Sequence, residues 1–169
     1  MEIEKIYIIE TTELLNKMMK DMDYSYDVYF RMAVIDEYFK NNDQIWDLYN
    51  MMQITRVNEV MEIPKNMKFH KNEFINLINN IKNNSFDFSK PIIINKDFYV
   101  IDGAHRMACA LYFNLAQVSV IIKSEYQNFI PKEYTKDWFI NNNLIECINY
   151  AEEQKEKLEK NICIKTKRF

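Results

Sequence analysis

The sequence predicts an α+β fold, a small mixed sheet with helical N- and C-terminal segments. Three observations predict it. Apolar residues recur at helical spacing in the first third and again near the end, whereas the stretch between alternates short β-branched runs with single amphipathic helices. The breaks between these runs are rich in asparagine: the chain has 20 asparagines and one glycine, and asparagine tolerates left-handed backbone better than most residues with a side chain. The apolar fraction is 48% and the aromatic fraction 14%, ample for a core in a chain of 169 residues. The expected organisation is a helical segment at 1–56, a core at 57–124 and a second helical segment at 125–169.

The elements follow in order. Thr11 or Thr12 caps a short helix carrying Leu14, Leu15, Met18 and Met19. A second helix is expected over Tyr26–Phe39, with Tyr29, Phe30, Ala33, Val34 and Phe39 among its apolar positions, and Asn41-Asn42-Asp43 ends it. A third passes through Ile45, Trp46, Leu48, Tyr49 and Met52. No strand-like alternation appears in this first third after Ile9. Val60–Pro64 then reads as a short strand stopped by proline. Phe74, Leu77, Ile78 and Ile81 predict an amphipathic helix over His70–Lys82, ended by Asn83-Asn84-Ser85. Pro91–Ile94 is a buried strand, Asn95-Lys96-Asp97 a tight turn, and Phe98–Ile101 the return strand of a hairpin. Ala104–Phe113 is a helix ended by Asn114, and Val118–Ile122 is a further strand. From Glu125 the pattern is helical again, with an interruption at 141–143 and a short basic tail at Lys165, Lys167 and Arg168.

Composition excludes several classes of function. Walker-type and glycine-loop architectures need several glycines, and this chain has only Gly103. A net charge of −3 gives no overall electrostatic footprint for duplex DNA. No apolar run approaches the roughly 18 residues of a membrane span, and the N-terminal residues do not read as a signal peptide. Cys109, Cys147 and Cys163 lack metal-type spacing and read as free thiols, so the expected setting is the cytoplasm.

The single glycine marks the one constellation with chemistry in it, Ile101-Asp102-Gly103-Ala104-His105-Arg106. Asp102 falls at a strand end, Gly103 permits a sharp turn, and a helix starts behind it. The first N–H groups of that helix have no intrahelical partners, so they attract anions. Arg106 adds a forked donor matched to phosphate oxygens. His105 can donate to an oxyanion or act as acid or base. Three roles are open to Asp102: orienting the histidine, holding Mg²⁺, or accepting a substrate proton. The bland reading is a His-Arg pair that only caps and solvates a helix start. Arg56 is a candidate for a substrate anion across the junction with the helical segment, against the plainer reading of a surface arginine at a helix end. His70 reads as a helix N-terminal residue.

From Pro91 through Tyr99–Arg106 to Ala108, Ala110 and Leu111, the chain resembles the ParB/sulfiredoxin-like superfamily, over about 40% of its length from Val57 to Lys123. The resemblance implies a nucleotide-phosphate site at the strand–turn–helix, formed by Gly103, Ala104, His105 and Arg106. Sulfiredoxins carry a cysteine immediately before His-Arg. Ala104 stands there, which argues against peroxiredoxin repair. Chromosome-partitioning members use an arginine-rich motif and a helix-turn-helix domain, whereas this motif has one arginine.

The motif is most similar to Asp-Gly-His-His-Arg of the superfamily's free-serine kinases. The catalytic glutamate those kinases carry before the amphipathic helix has no counterpart in 65–69, and Glu62 is the nearest upstream acid. The expectation is therefore a kinase that uses ATP or another nucleotide with Mg²⁺ on a hydroxyl group of a small metabolite. Asp102, His105 and Glu62 are its candidate catalytic residues, and Asp102 is the metal ligand. The alternative is a nucleotide-binding regulatory or interaction module without turnover. Charge and length argue against a nucleic-acid partner, no membrane partner is expected, and the helical ends are candidates for a homo-oligomer interface.

Overall fold

The computed structural model describes residues 4–19, 25–58, 70–127 and 135–166. The fold is α+β, and among the described residues it has a four-stranded mixed sheet and seven α-helices. The strands are β1 (Ile6–Glu10), β2 (Ile92–Ile94), β3 (Val100–Asp102) and β4 (Gln117–Ile122), in the order β1-β4-β2-β3. The helices are α1 (Thr11–Met18), α2 (Tyr26–Phe39), α3 (Ile45–Asn58), α4 (Lys71–Asn84), α5 (Ala104–Tyr112), α6 (Lys136–Asn141) and α7 (Ile145–Thr166). None of the described helices is long and apolar enough to cross a membrane.

The expected hairpin is present, with β2 and β3 antiparallel and Ile93 opposite Asp102. Asn95 builds its turn. The Asn95 Oδ1 accepts from the backbone N–H groups of Asp97 and Tyr99, each at 3.0 Å. That side chain stands in for backbone acceptors, so Phe98 can take a positive φ of 69° without a glycine in the turn. The crossover from β2 through β3 and α5 returns the chain to β4, which runs parallel to β2. Ile92 and Ile94 of β2 are buried with Val118 and Val120 of β4, the continuous apolar pattern of strands covered by helices.

The sequence reading assigns no element to β1, which pairs antiparallel with β4, Ile8 opposite Ser119. Ile6 and Ile8 are exposed on this edge strand, so no inside–outside alternation marks it. The helical segments are continuous with the core. Helix α2 packs against both α5 and α7, and residues Tyr26 to Ile35 are all buried. A helix enclosed this way needs no polar face. Helix α3 extends beyond the expected Met52 to Asn58, and α4 and α5 begin within one residue of expectation. The strand expected over Val60–Pro64 lies outside the described residues.

Asparagine replaces glycine in a repeated way. Asn41, Asn114 and Asn143 have φ of 59°, 53° and 58°, and each stands just beyond a helix C-cap, those of α2, α5 and α6. Behind each, the next backbone N–H returns to a carbonyl five residues earlier: Asn42 to Glu37, Leu115 to Ala110, and Leu144 to Phe139. This is the Schellman closure, normally built on glycine.

Candidate functional site

A cleft of about 470 Å³ opens where α2, α3, α4 and the β3–α5 turn meet. It is lined by the cations Arg56, Lys90 and Arg106, by His70, and by the carboxylates Glu73 and Asp102, with Arg31 and Asp27 also reaching it. A chain of net charge −3 thus brings its three described arginines to one concavity. The structure brings together Arg56, Asp102, Gly103, Ala104, His105 and Arg106 from the sequence candidates. Glu62 lies outside the described residues.

Gly103 is needed for two reasons. Its φ is 94° as the residue that caps α5, and Met107 N–H closes the first helical turn on its carbonyl at 2.9 Å. A Cβ at this position would lie 2.8 Å from Arg106 Nη2. The Arg106 guanidinium therefore lies across the bare glycine backbone. From there Arg106 Nη2 donates to the Pro91 carbonyl at 3.1 Å and to Asp102 Oδ2 at 3.3 Å. Its Nε is buried with no acceptor among the described residues. Arg106 is 25% exposed and Asp102 69%, so water screens the pair and it is weakly held.

His105 is organised from a different direction. Its Nε2 shares a hydrogen bond of 2.7 Å with the Tyr49 hydroxyl of α3, and the edge-on Phe74 ring of α4 lies 4.6 Å away, centroid to centroid. Behind Tyr49 stands a buried chain. Gln53 Nε2 donates to the Tyr49 oxygen at 3.2 Å, and Arg31 Nη2 donates to Gln53 Oε1 at 3.4 Å. Arg31 Nη1 reaches both the Asp27 carboxylate at 2.9 Å and the Asp27 carbonyl at 3.0 Å. Burial pushes the His105 pKa well below its ordinary value, and the positive charges of Arg31, Arg56, His70 and Arg106 push the same way. The ring is neutral at pH 7.

Sequence reasoning missed Asp27, Arg31, Tyr49, Gln53 and Glu73 as members of this site. Asp27 and Arg31 had a readable signal, an opposite-charge pair at i, i+4 inside an otherwise apolar run. Glu73 sits in the first turn of α4, and only the packing of α4 beside α5 brings it to the cleft. Cys109 and Cys147 carry no signal of reactivity. Cys109 and Cys147 are free and buried, and burial raises both thiols to about 12, so neither is a nucleophile at neutral pH. Among the described residues no cluster of three or more His, Cys, Asp or Glu side chains could hold a metal ion. Comparison with protein-family models, curated proteins and solved structures yields no match.

Proposed function

We propose that the protein is a nucleotide-dependent kinase of ParB/sulfiredoxin-like fold, acting in the cytoplasm on a hydroxyl group of a small metabolite. One observation carries this reading. Arg106 lies at the start of α5 in a cleft lined by arginines, with its Nε buried without an acceptor among the described residues and its Nη2 shared between the Pro91 carbonyl and Asp102. A buried donor without an acceptor is uncommon, and a phosphate at the helix N-terminus supplies the missing partner. Arg56 and Lys90 line the same cleft and add charge for a polyphosphate or an anionic acceptor.

The carboxylates fit the remaining roles. Mg²⁺ needs one or two protein carboxylates when substrate phosphates and waters complete its shell, and Asp102 meets that need. With a phosphate held by Arg106, the Asp102 carboxylate would be free to hold the cation, which would shield the phosphate charge. Glu73, exposed at the cleft wall, is the described carboxylate best placed to accept the proton of an acceptor hydroxyl.

The test is incubation with ATP, Mg²⁺ and a panel of hydroxyl metabolites. Turnover should appear in the wild type, and Arg106→Ala should weaken nucleotide binding by about 10- to 100-fold and abolish turnover with it. Glu73→Gln should lower turnover while sparing binding. Retained turnover in Arg106→Ala overturns the assignment. Tight binding with no release of ADP or AMP identifies instead a nucleotide-binding regulatory module.

A further inference from the structure

The buried chain behind His105 has a direction. Arginine has donors only and stays charged, so Gln53 must present its oxygen to Arg31 and its NH₂ group to Tyr49. Tyr49 is fully buried, and its oxygen already accepts from Gln53. Its own proton therefore needs an acceptor, because a buried hydroxyl donor left unmade is costly. The acceptor within reach is His105 Nε2 at 2.7 Å. An imidazole that accepts at Nε2 carries its proton on Nδ1.

We propose that a donor relay running from Arg31 through Gln53 and Tyr49 locks His105 as its Nδ1–H tautomer, so that His105 serves the cleft as a fixed hydrogen-bond donor to an oxyanion. Arg31, Gln53 and Tyr49 are positioning residues, acting through His105. The relay comes from α2 and α3, outside the strand–turn–helix motif. It fixes the single proton of a neutral ring, which can otherwise sit on either nitrogen, at Nδ1. Its polarity suits an anion, since every link donates toward the histidine and the chain starts at a guanidinium. A second structural feature points the same way: the Phe74 ring, edge-on at 4.6 Å, and the Tyr49 ring, edge-on at 6.0 Å, pack around the imidazole and limit its rotation. The donor role toward an oxyanion rests on the proposed phosphate site, whereas the tautomer does not.

The experiment is long-range ¹H–¹⁵N correlation of the histidine rings in the ligand-free full chain at pH 7, with His105 assigned by comparison with His105→Gln. The wild type should show His105 as the Nδ1–H form. Tyr49→Phe keeps the ring packing against Trp46 and Phe74 and removes only the hydroxyl, so His105 should move to the Nε2–H form that free imidazole side chains favour. Gln53→Met should give an intermediate shift. An Nε2–H or doubly protonated His105 in the wild type overturns the relay, as does an unchanged tautomer in folded Tyr49→Phe. Titration with pyrophosphate forms a second arm. The Nδ1–H resonance should shift downfield as pyrophosphate binds, and Tyr49→Phe should bind it about 3- to 10-fold more weakly. Binding without that shift overturns the donor role. Failure of pyrophosphate to bind at all removes the phosphate site and the donor role together, while the tautomer measurements still decide the relay.

Discussion

Two Asp–Arg pairs with the same spacing border the same cleft and behave as opposites. Asp27 and Arg31 meet at 2.9 Å inside α2, with side chains 1% and 0% exposed. Asp102 and Arg106 meet at 3.3 Å around the start of α5, with side chains 69% and 25% exposed. The covalent pattern, aspartate four residues before arginine, is identical. The difference is solvent. Water screens the outer pair, so it can open at little cost. The inner pair has no water to fall back on, so its geometry is fixed and can be transmitted through Gln53 and Tyr49. One cleft thus combines an exchangeable arginine with a scaffold arginine.

The comparison can be broken most sharply at its buried end. Arg31→Met removes the buried partner of the Asp27 carboxylate, and should cost about 3–5 kcal/mol of stability, read from the urea-unfolding midpoint. A midpoint close to wild type would mean that the inner pair is no scaffold. A smaller effect is expected at the glycine. Gly103→Ala forces a side-chain-bearing residue into φ of 94°, which costs about 1–2 kcal/mol, and its Cβ expels the Arg106 guanidinium from its seat. The measurable signature is a lowered thermal midpoint together with weaker ADP binding; loss of stability without loss of binding would separate the turn from the anion site. The smallest effect belongs to the outer pair. Asp102→Asn should change stability by less than about 1 kcal/mol, with the difference shrinking further as salt is raised. A larger, salt-insensitive loss would show that the outer pair too is structural.

Much of the local structure was legible in the residues. The helices over 26–39 and 104–112 and the hairpin around Asn95 follow from spacing and turn chemistry that act within a few residues. The lone glycine located the β3–α5 turn because a positive φ is a local demand. Strand β1 was not legible, because its exposed Ile6 and Ile8 give no alternation and its only reason to be extended is the partner strand β4. The role of α2 was not legible either. Its apolar positions predict a helix, but not that it is enclosed by α5 and α7 and so holds a buried ion pair.

The candidate site divides in the same way. Asp102, Gly103, His105 and Arg106 are neighbours in sequence, so local reading finds them. Glu73, Tyr49, Gln53 and Arg31 come from three other helices; the charged pair inside an apolar run marks Arg31 as unusual, but nothing local says where the four converge.

By itself the sequence determined the local frame of the proposed anion site: a single glycine at a strand end, a helix starting behind it, and an arginine in the first turn. Those are consequences of backbone sterics and the unpaired N–H groups of a helix start, which depend on near neighbours alone. Only the tertiary structure decided what the motif's histidine meets and which arginine stays partly open to solvent. Both depend on which groups lose water on packing, and that is settled between helices far apart in the chain. Packing set His105 against Tyr49 at 2.7 Å and left Arg106 partly open to solvent.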